Sequence, residues 1–429
     1  MSRRTWIRAG LALLVVVGGV TAFYVFYHPP MRLMPAPLLF QKAEVPISDV
    51  GPALEDGARV EVFYASNRFP IGPRDDRIYS VAPDTRLHMG RASMRIGDEG
   101  STLDQIFEWS TGAERTDRPF IHLQRMTEQA TMEAGATADD DPSEDVQRWL
   151  DEIDAQLAKS RHKDILVYVH GANTTVERAA GQASQLRHFS GRNAVVVVFV
   201  WPTAENFLRY GRDVTNAYAS APRLADLIAL LARHTSAHSV DVMTYSAGGT
   251  VGSTGLAHLA RAMPDAAARV GEVYHAAPDA DFRRFVDDMT AYAPVVGRVT
   301  MAVNMADSAL RLAEVMNRGS RAGRPDLREL DAEAAAWVAR ASADYGVEVL
   351  QVRPENMPEM PARSHTFWYD DPWVSNDLLL LLLFDMGARE RALQGGLTAA
   401  GTDYWTFPPD YPAAMPAVRD AAKARLPRP

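Results

Sequence analysis

Residues 239–249 read SVDVMTYSAGG: a hydrophobic run of strand length ends on a serine, which is followed by an alanine and two glycines. A strand without polar alternation has to be buried on both faces. The same pattern recurs on either side of it. Upstream lie DILVYVHG (164–171) and AVVVVFVWP (194–202); downstream lie RVGEVYHAA (269–277), RVTMAVNM (298–305) and VEVLQV (347–352). Between these runs the apolar residues fall at helical spacing. Val146, Trp149, Leu150, Ile153 and Leu157 mark a first amphipathic helix, and further helices are predicted near 175–189, 221–233, 247–262, 281–289, 307–317 and 330–342. Strand then helix, repeated with buried strands, predicts an α/β fold: a doubly wound, mostly parallel sheet covered by helices on both faces.

The chain ahead of this core has a different texture. RVEVFYASNR (59–68), RLHMGRASMRIG (86–97) and RPFIHLQRM (118–126) predict a β-rich N-terminal extension over 55–130, in front of a core at 144–390 and within one domain at 55–406. The acidic stretch EAGATADDDPSED (133–145) reads as a solvated loop rather than a calcium site. HPPMRLMPAPLLF (28–40) opens what reads as a proline-rich extended linker, 29–54. LLLLLLF (378–384) is too short to span a bilayer and is expected to pack a terminal helix on the sheet. The proline-rich tail, 407–429, is expected to be loosely ordered, and no solenoid repeat is present.

Composition narrows the function. At 429 residues, 47% hydrophobic and 23% charged, the chain can bury a large core, and a net charge of −9 argues against nucleic acid as a partner. The absence of cysteine excludes disulfides, thiolate metal sites and a cysteine nucleophile. At the N-terminus Arg3, Arg4 and Arg8 precede an uncharged run from Ala9 to Tyr27. A run of about 20 such residues predicts one N-terminal transmembrane helix, 1–28, acting as a membrane anchor. The arginines then stay in the cytoplasm, Phe23, Tyr24, Phe26 and Tyr27 sit at the outer interface, and the rest of the chain is periplasmic. Two signals offer other routes: Val20-Thr21-Ala22 fits cleavage followed by secretion, and SRRTWIR is similar to a twin-arginine export signal.

In open parallel sheets ligands bind at the carboxyl ends of the strands. Those ends here read HGANTT, WPTAEN, SAGGT, AAPDADF and NMADSAL. Ser246 sits where a buried strand turns into a helix, a sharp elbow that needs small neighbours two residues away; Gly248 meets that need and Thr244 only partly. A nucleophilic serine needs a base, and the base needs an orienting carboxylate. Of eleven histidines only His365, in SHTFWYDDPW, lies beyond residue 275. Asp307 follows the penultimate strand and is the preferred acid; Asp279, with Asp281 beside it, is the alternative. Oxyanion donors are expected from the amides of Ala247 and of Ala172 or Asn173, next to Gly171. His170 lacks metal-ligand spacing and reads as a turn residue. Trp201, Phe207, Tyr210 and Tyr218 are expected to line or roof a pocket, while Arg209 and Arg212 contact an acidic substrate group or face solvent.

Taken together, FYASNR, MGRASMRIG, VYVHGANTT, VFVWPT, YSAGG, AAPDADF, MADSAL and SHTFWY, in that order across about 59–385, resemble the uncharacterised bacterial esterase/lipase-like branch of the α/β-hydrolase superfamily. The resemblance implies an α/β-hydrolase-like fold, Ser246 as nucleophile, Asp307 as acid, His365 as base, hydrolysis of an ester or related acyl bond, and no cofactor or metal. Such proteins usually carry histidine before the serine and a small residue before that, where this chain has Tyr245 and Thr244. Two classes therefore stay open. One is a membrane-tethered serine hydrolase whose partners are an acyl-ester substrate, lipid included, and the membrane. The other is a catalytically inactive hydrolase-fold module that binds or scaffolds in the cell envelope.

Overall fold

The structure is a computed structural model of the 429-residue chain, and it describes residues 18–19, 30–41, 57–112, 118–136, 138, 140–358, 360–398 and 402–425. The anchor or signal segment expected at 1–28 lies outside these apart from Gly18 and Gly19. Among the described residues no helix is long and apolar enough to cross a membrane.

One sheet of twelve strands runs through the molecule, in the order β1 (Met31–Arg32), β4 (Phe120–Met132), β3 (Ile78–Ile96), β2 (Arg59–Ile71), β6 (Val195–Val200), β5 (Ile165–Val169), β7 (Val240–Tyr245), β8 (Val270–Ala276), β9 (Arg298–Val303), β10 (Val347–Gln351), β12 (Asp403–Thr406) and β11 (Gln394–Leu397). Its parallel centre is β5, β6, β7, β8, β9 and β10. In β5, β6 and β7 every residue is buried, as the hydrophobic runs of β5 and β6 require; β7 also buries Asp241, whose Oδ1 accepts from Ser239 Oγ and the Glu272 amide. Successive side chains still go to opposite faces. Leu166, Tyr168, Val196, Val198 and Met243 join one core, beneath the helices Val176–Phe189 and Pro372–Phe384. Ile165, Val167, Val169, Val195, Val197, Val240 and Val242 join the other, beneath Glu144–Lys159, Tyr210–His234, Gly248–Ala262 and Phe282–Tyr292. The mostly parallel, doubly wound sheet expected from the sequence is thus present.

The N-terminal extension is built into that sheet. β2 (Arg59–Ile71) pairs in parallel with β6, Phe63 opposite Val197. β3 (Ile78–Ile96) and β4 (Phe120–Met132) follow it antiparallel. A helix over Leu103–Thr111, absent from the sequence reading, closes the β3–β4 connection.

Three expectations need correction. The described part of the expected linker, 30–41, is packed: β1 (Met31–Arg32) pairs with β4, Leu33 and Met34 are buried, and the amide of Leu39 donates to Asn376 Oδ1 at 2.8 Å. Prolines there block a helix but suit an edge strand, where a missing N–H faces no partner. The tail is likewise ordered through 425: Phe407 packs edge-on and Tyr411 tilted against Trp373, and the helix Met415–Arg425 buries Met415, Val418 and Ala422. Pro416 lies in that helix's first turn, where it does no harm. Just ahead of the tail, β11 (Gln394–Leu397) and β12 (Asp403–Thr406) extend the sheet by a short hairpin that the sequence reading did not anticipate. Finally, the helix expected from 221 starts at Tyr210 and runs through Pro222. An interior proline costs about 3 kcal/mol. The helix is carried across it by burial of Ala217, Ala221 and Leu224, with Gly255 of the neighbouring helix allowing close approach to the Ala221 carbonyl.

Candidate active site

Ser246 follows β7 directly and has φ of +53°, the left-handed region that a residue with a Cβ seldom occupies. Its N–H donates to the Ala276 carbonyl at 3.0 Å, and its own carbonyl accepts from Gly249 at 2.8 Å and Asp279 at 2.8 Å. The glycines on either side are set by space. A Cβ at Gly248 would lie 2.5 Å from the Val169 carbonyl oxygen, and one at Gly171 would lie 2.9 Å from Ser246 Cβ. The elbow is over-determined by its surroundings, which is what holds such a backbone conformation in place.

Thr244, the residue that departs from the usual pattern, is accommodated by a third glycine. Its hydroxyl sits 2.7 Å from His275 Nδ1, and its methyl fills the space that a Cβ on Gly252 would take, 2.3 Å away. His275 is buried, which pushes its pKa down to about 3 and leaves the ring neutral. The crowding that kept the inactive reading open is therefore relieved one turn into the helix.

Facing the elbow, His365 Nε2 lies 2.9 Å from Ser246 Oγ, and His365 Nδ1 lies 2.6 Å from Asp307 Oδ2. Asp307 is fully buried and uses its two oxygens for different tasks: Oδ1 caps the helix Ser308–Asn317, accepting from Ala309 at 2.8 Å and Leu310 at 3.0 Å. Asn304 fixes the histidine loop by donating from Nδ2 to the Ser364 carbonyl at 2.9 Å. The ring of Tyr245 packs beside His365. Asp279, the alternative acid, is elsewhere. Its carboxylate takes Arg321 Nε at 2.5 Å and the Tyr210 hydroxyl at 2.6 Å. Asp281 caps the helix Phe282–Tyr292 by accepting from the Arg284 amide.

The three expected oxyanion donors separate. The amide of Asn173 donates to Asp213 Oδ2 at 2.9 Å, which engages it. The amides of Ala172 and Ala247 meet no acceptor among the described residues. Asp213 also takes the Ala204 amide at 2.6 Å, so one buried carboxylate ties the loop after β5 to the loop after β6. Arg68 does the same from the other side. Wholly buried, it donates from Nε to the Trp201 carbonyl at 2.9 Å, from Nη2 to the Thr174 carbonyl and Thr203 Oγ1, both at 2.9 Å, and from Nη1 to Glu205 at 2.6 Å. His170 stacks on Trp201 with ring centroids 5.4 Å apart, and burial together with Arg68 pushes its pKa down to about 3. It shapes the turn. Trp201 and Tyr210 are buried there, whereas Phe207 is exposed and Tyr218 half-buried.

Arg68, Asp213, Asn304 and Gly252 were not singled out by the sequence reading. Arg68 ends the FYASNR motif and was visible only as part of a resemblance; the others act through partners remote in sequence.

A search of curated proteins found no match. Solved structures with detectable similarity include an inhibited esterase B from Lactobacillus rhamnosis (13% identity, TM-score 0.23, covering 38% of this chain and 65% of that one). Others are lipase B from Aspergillus fumigatus (15%, 0.23, 38% and 42%) and a hydrolase from Oleispira antarctica (11%, 0.27, 51% and 90%). The chain thus spans less than two thirds of the esterase and of the lipase. Residues 145–359 match the family described as alpha/beta hydrolase of unknown function (DUF900), a stretch that contains Ser246 and Asp307 and ends just before His365. Because that match takes in half of the chain, the protein belongs to this family of α/β hydrolases.

Proposed function

We propose that the protein is a serine hydrolase that cleaves carboxylic esters or related acyl bonds through a Ser246–His365–Asp307 triad. The observation that carries this reading is the continuous relay from Oγ to Nε2 (2.9 Å) and from Nδ1 to Asp307 (2.6 Å) at a serine with φ of +53°.

His365 takes the hydroxyl proton on Nε2 as Ser246 Oγ attacks the acyl carbon. Asp307 accepts a hydrogen bond from the Nδ1–H of His365 and stabilises the imidazolium. The amides of Ala172 and Ala247 receive the developing oxyanion. The tetrahedral adduct collapses, the ester C–O bond breaks, and the departing alcohol leaves with the proton from His365. Water then gives a proton to His365 and attacks the acyl-enzyme; release of the acid returns the proton to Ser246. No cofactor takes part in these steps. Support for a membrane setting comes from the N-terminal sequence, where the arginines and the apolar run fit an anchor that leaves the hydrolase domain in the periplasm.

A panel of p-nitrophenyl acyl esters of increasing chain length tests the reading. The wild-type chain is expected to turn over at least one of them, and Ser246→Ala to lose the activity. Equal rates for wild type and Ser246→Ala on every ester would overturn it.

A further inference from the structure

The helix Ser308–Asn317, which begins at Asp307, buries only Leu310 and Ala313. Leu312, Val315 and Met316 lie at i, i+3 and i+4, one stripe of the helix, and that stripe faces water; Val315 is 74% exposed. The turn after β6 adds Phe207 and Leu208, the latter 72% exposed. The two elements are neighbours beside the elbow. Asn317 Nδ2 donates to the Tyr210 hydroxyl at 3.2 Å, Tyr210 donates to Asp279 at 2.6 Å, and the Asp279 amide donates to the Ser246 carbonyl at 2.8 Å.

The polar residues among these apolar ones are of one sign. Arg209, Arg212, Arg311 and Arg318 are exposed, and none of their side chains has an ion-pair or hydrogen-bond partner among the described residues. The acids of the same two segments are all engaged: Glu205 with Arg68, Asp213 with two amides, Asp307 with His365, and Glu314 with Arg324. In a chain of net charge −9, a rim that is apolar and cationic at once is a local exception. Such a surface matches an anionic lipid interface, where apolar side chains enter the acyl boundary while guanidinium groups meet phosphates.

We propose that this face docks on an anionic phospholipid bilayer and turns the mouth of the Ser246 site toward it. That the acyl bond cleaved then comes from a lipid rests on the hydrolase reading; the docking does not.

The chain has no cysteine, so Leu208→Cys and Val315→Cys each give the full-length protein a single attachment point for an environment-sensitive fluorophore. His238→Cys, its side chain 86% exposed just ahead of the amino end of β7 and so at the opposite end of that strand from Ser246, is the control. Each is mixed with vesicles of phosphatidylcholine alone or with phosphatidylglycerol added. The labels at 208 and 315, and not at 238, are expected to shift to the blue and to be quenched by lipid-borne nitroxide when anionic lipid is present. Each change of Arg209, Arg212, Arg311 or Arg318 to Gln should lower the docked-to-undocked ratio about fivefold. Labels at 208 and 315 that stay as water-exposed as the one at 238 would overturn the proposal. So would shielding that appears without vesicles and grows with protein concentration, which would mean that a second copy covers the face. Fluorophosphonate labelling of Ser246 on the same samples keeps the two readings apart. Labelling without lipid contact overturns the docking and leaves the hydrolase; lipid contact without labelling does the reverse.

Discussion

Gly252→Ala, made alone and with Thr244→Ser, probes how this elbow tolerates a threonine. A Cβ on Gly252 would stand 2.3 Å from Thr244 Cγ2, 3.5 Å from Thr244 Cβ and 3.7 Å from His275 Cε1. Only the first contact is impossible. Thr244 cannot swing away cheaply, because it is buried and its hydroxyl is held 2.7 Å from His275 Nδ1. Overpacking of this kind costs about 1–3 kcal/mol, against about 1 kcal/mol gained by replacing a mid-helix glycine with alanine. Gly252→Ala should therefore be neutral to about 2 kcal/mol destabilising, and its strain should fall on the strand end that presents Ser246, slowing ester hydrolysis. Thr244→Ser keeps the hydroxyl and loses one buried methyl, costing about 1 kcal/mol. In the double variant the remaining contacts are ordinary, so stability and rate should return close to wild type, with a coupling energy of about 1–3 kcal/mol between the two positions. Denaturant midpoints at constant m-value, for all four proteins, measure this directly. Additivity within about 0.5 kcal/mol would refute the idea that Gly252 is what makes room for Thr244.

Other perturbations separate chemistry from architecture. Asp307→Asn should keep the helix cap, since asparagine caps as well as aspartate, yet lower kcat by about 10⁴ through loss of the histidine's orienting charge. A thermal melt unchanged within error, beside a collapsed rate, is the expected pair of readings. Arg68→Lys cannot reach all four acceptors of the guanidinium fork, so loosening of the 171–175 loop should reduce kcat about 10²-fold with KM little changed; Arg68→Met should in addition cost about 3–5 kcal/mol by leaving Glu205 and buried carbonyls unpartnered. A change in KM alone would contradict the positioning role. Burial, with Asp164 nearby, pushes the Asp241 carboxyl up to about 8. Its folded pKa exceeds the unfolded value, so its stabilising contribution is full below about pH 4 and is lost as pH rises toward 8. Asp241→Asn should flatten the fall in stability between pH 5 and pH 8, measured by urea titration at each pH; an unchanged slope would rule Asp241 out as its source.

Much of this arrangement was legible in the residue order. Apolar runs at 165–169 and 195–200, and a third at 240–245 interrupted by Asp241 and Thr244, have the length and β-branched content of strands covered on both faces, and the turns at their carboxyl ends narrowed the chemistry to a few side chains. Ser246, Asp307 and His365 followed from chain order and from the scarcity of histidines after residue 275. What escaped the reading depends on contacts between remote segments. The fit of Thr244 against Gly252 exists only once the helix is laid on the strand, and Arg68 reaches carbonyls more than a hundred residues away. Proline misled twice, at 30–41 and after 407, because it reports only that a backbone is not mid-helix; whether the segment packs is decided by residues such as Leu33, Phe407 and Tyr411, whose partners lie elsewhere. Asp307 shows the opposite case. Helix capping and histidine orientation look like competing explanations in the sequence, and in the fold one carboxylate does both, one oxygen each.

Reaction of the folded, full-length chain with a fluorophosphonate probe, followed by peptide mass mapping, tests the central proposal most directly. The relay from Asp307 through His365 predicts one stoichiometric adduct on Ser246, abolished by Ser246→Ala and strongly slowed by Asp307→Asn. A folded protein that takes up no probe, or carries it on another residue, would contradict the assignment.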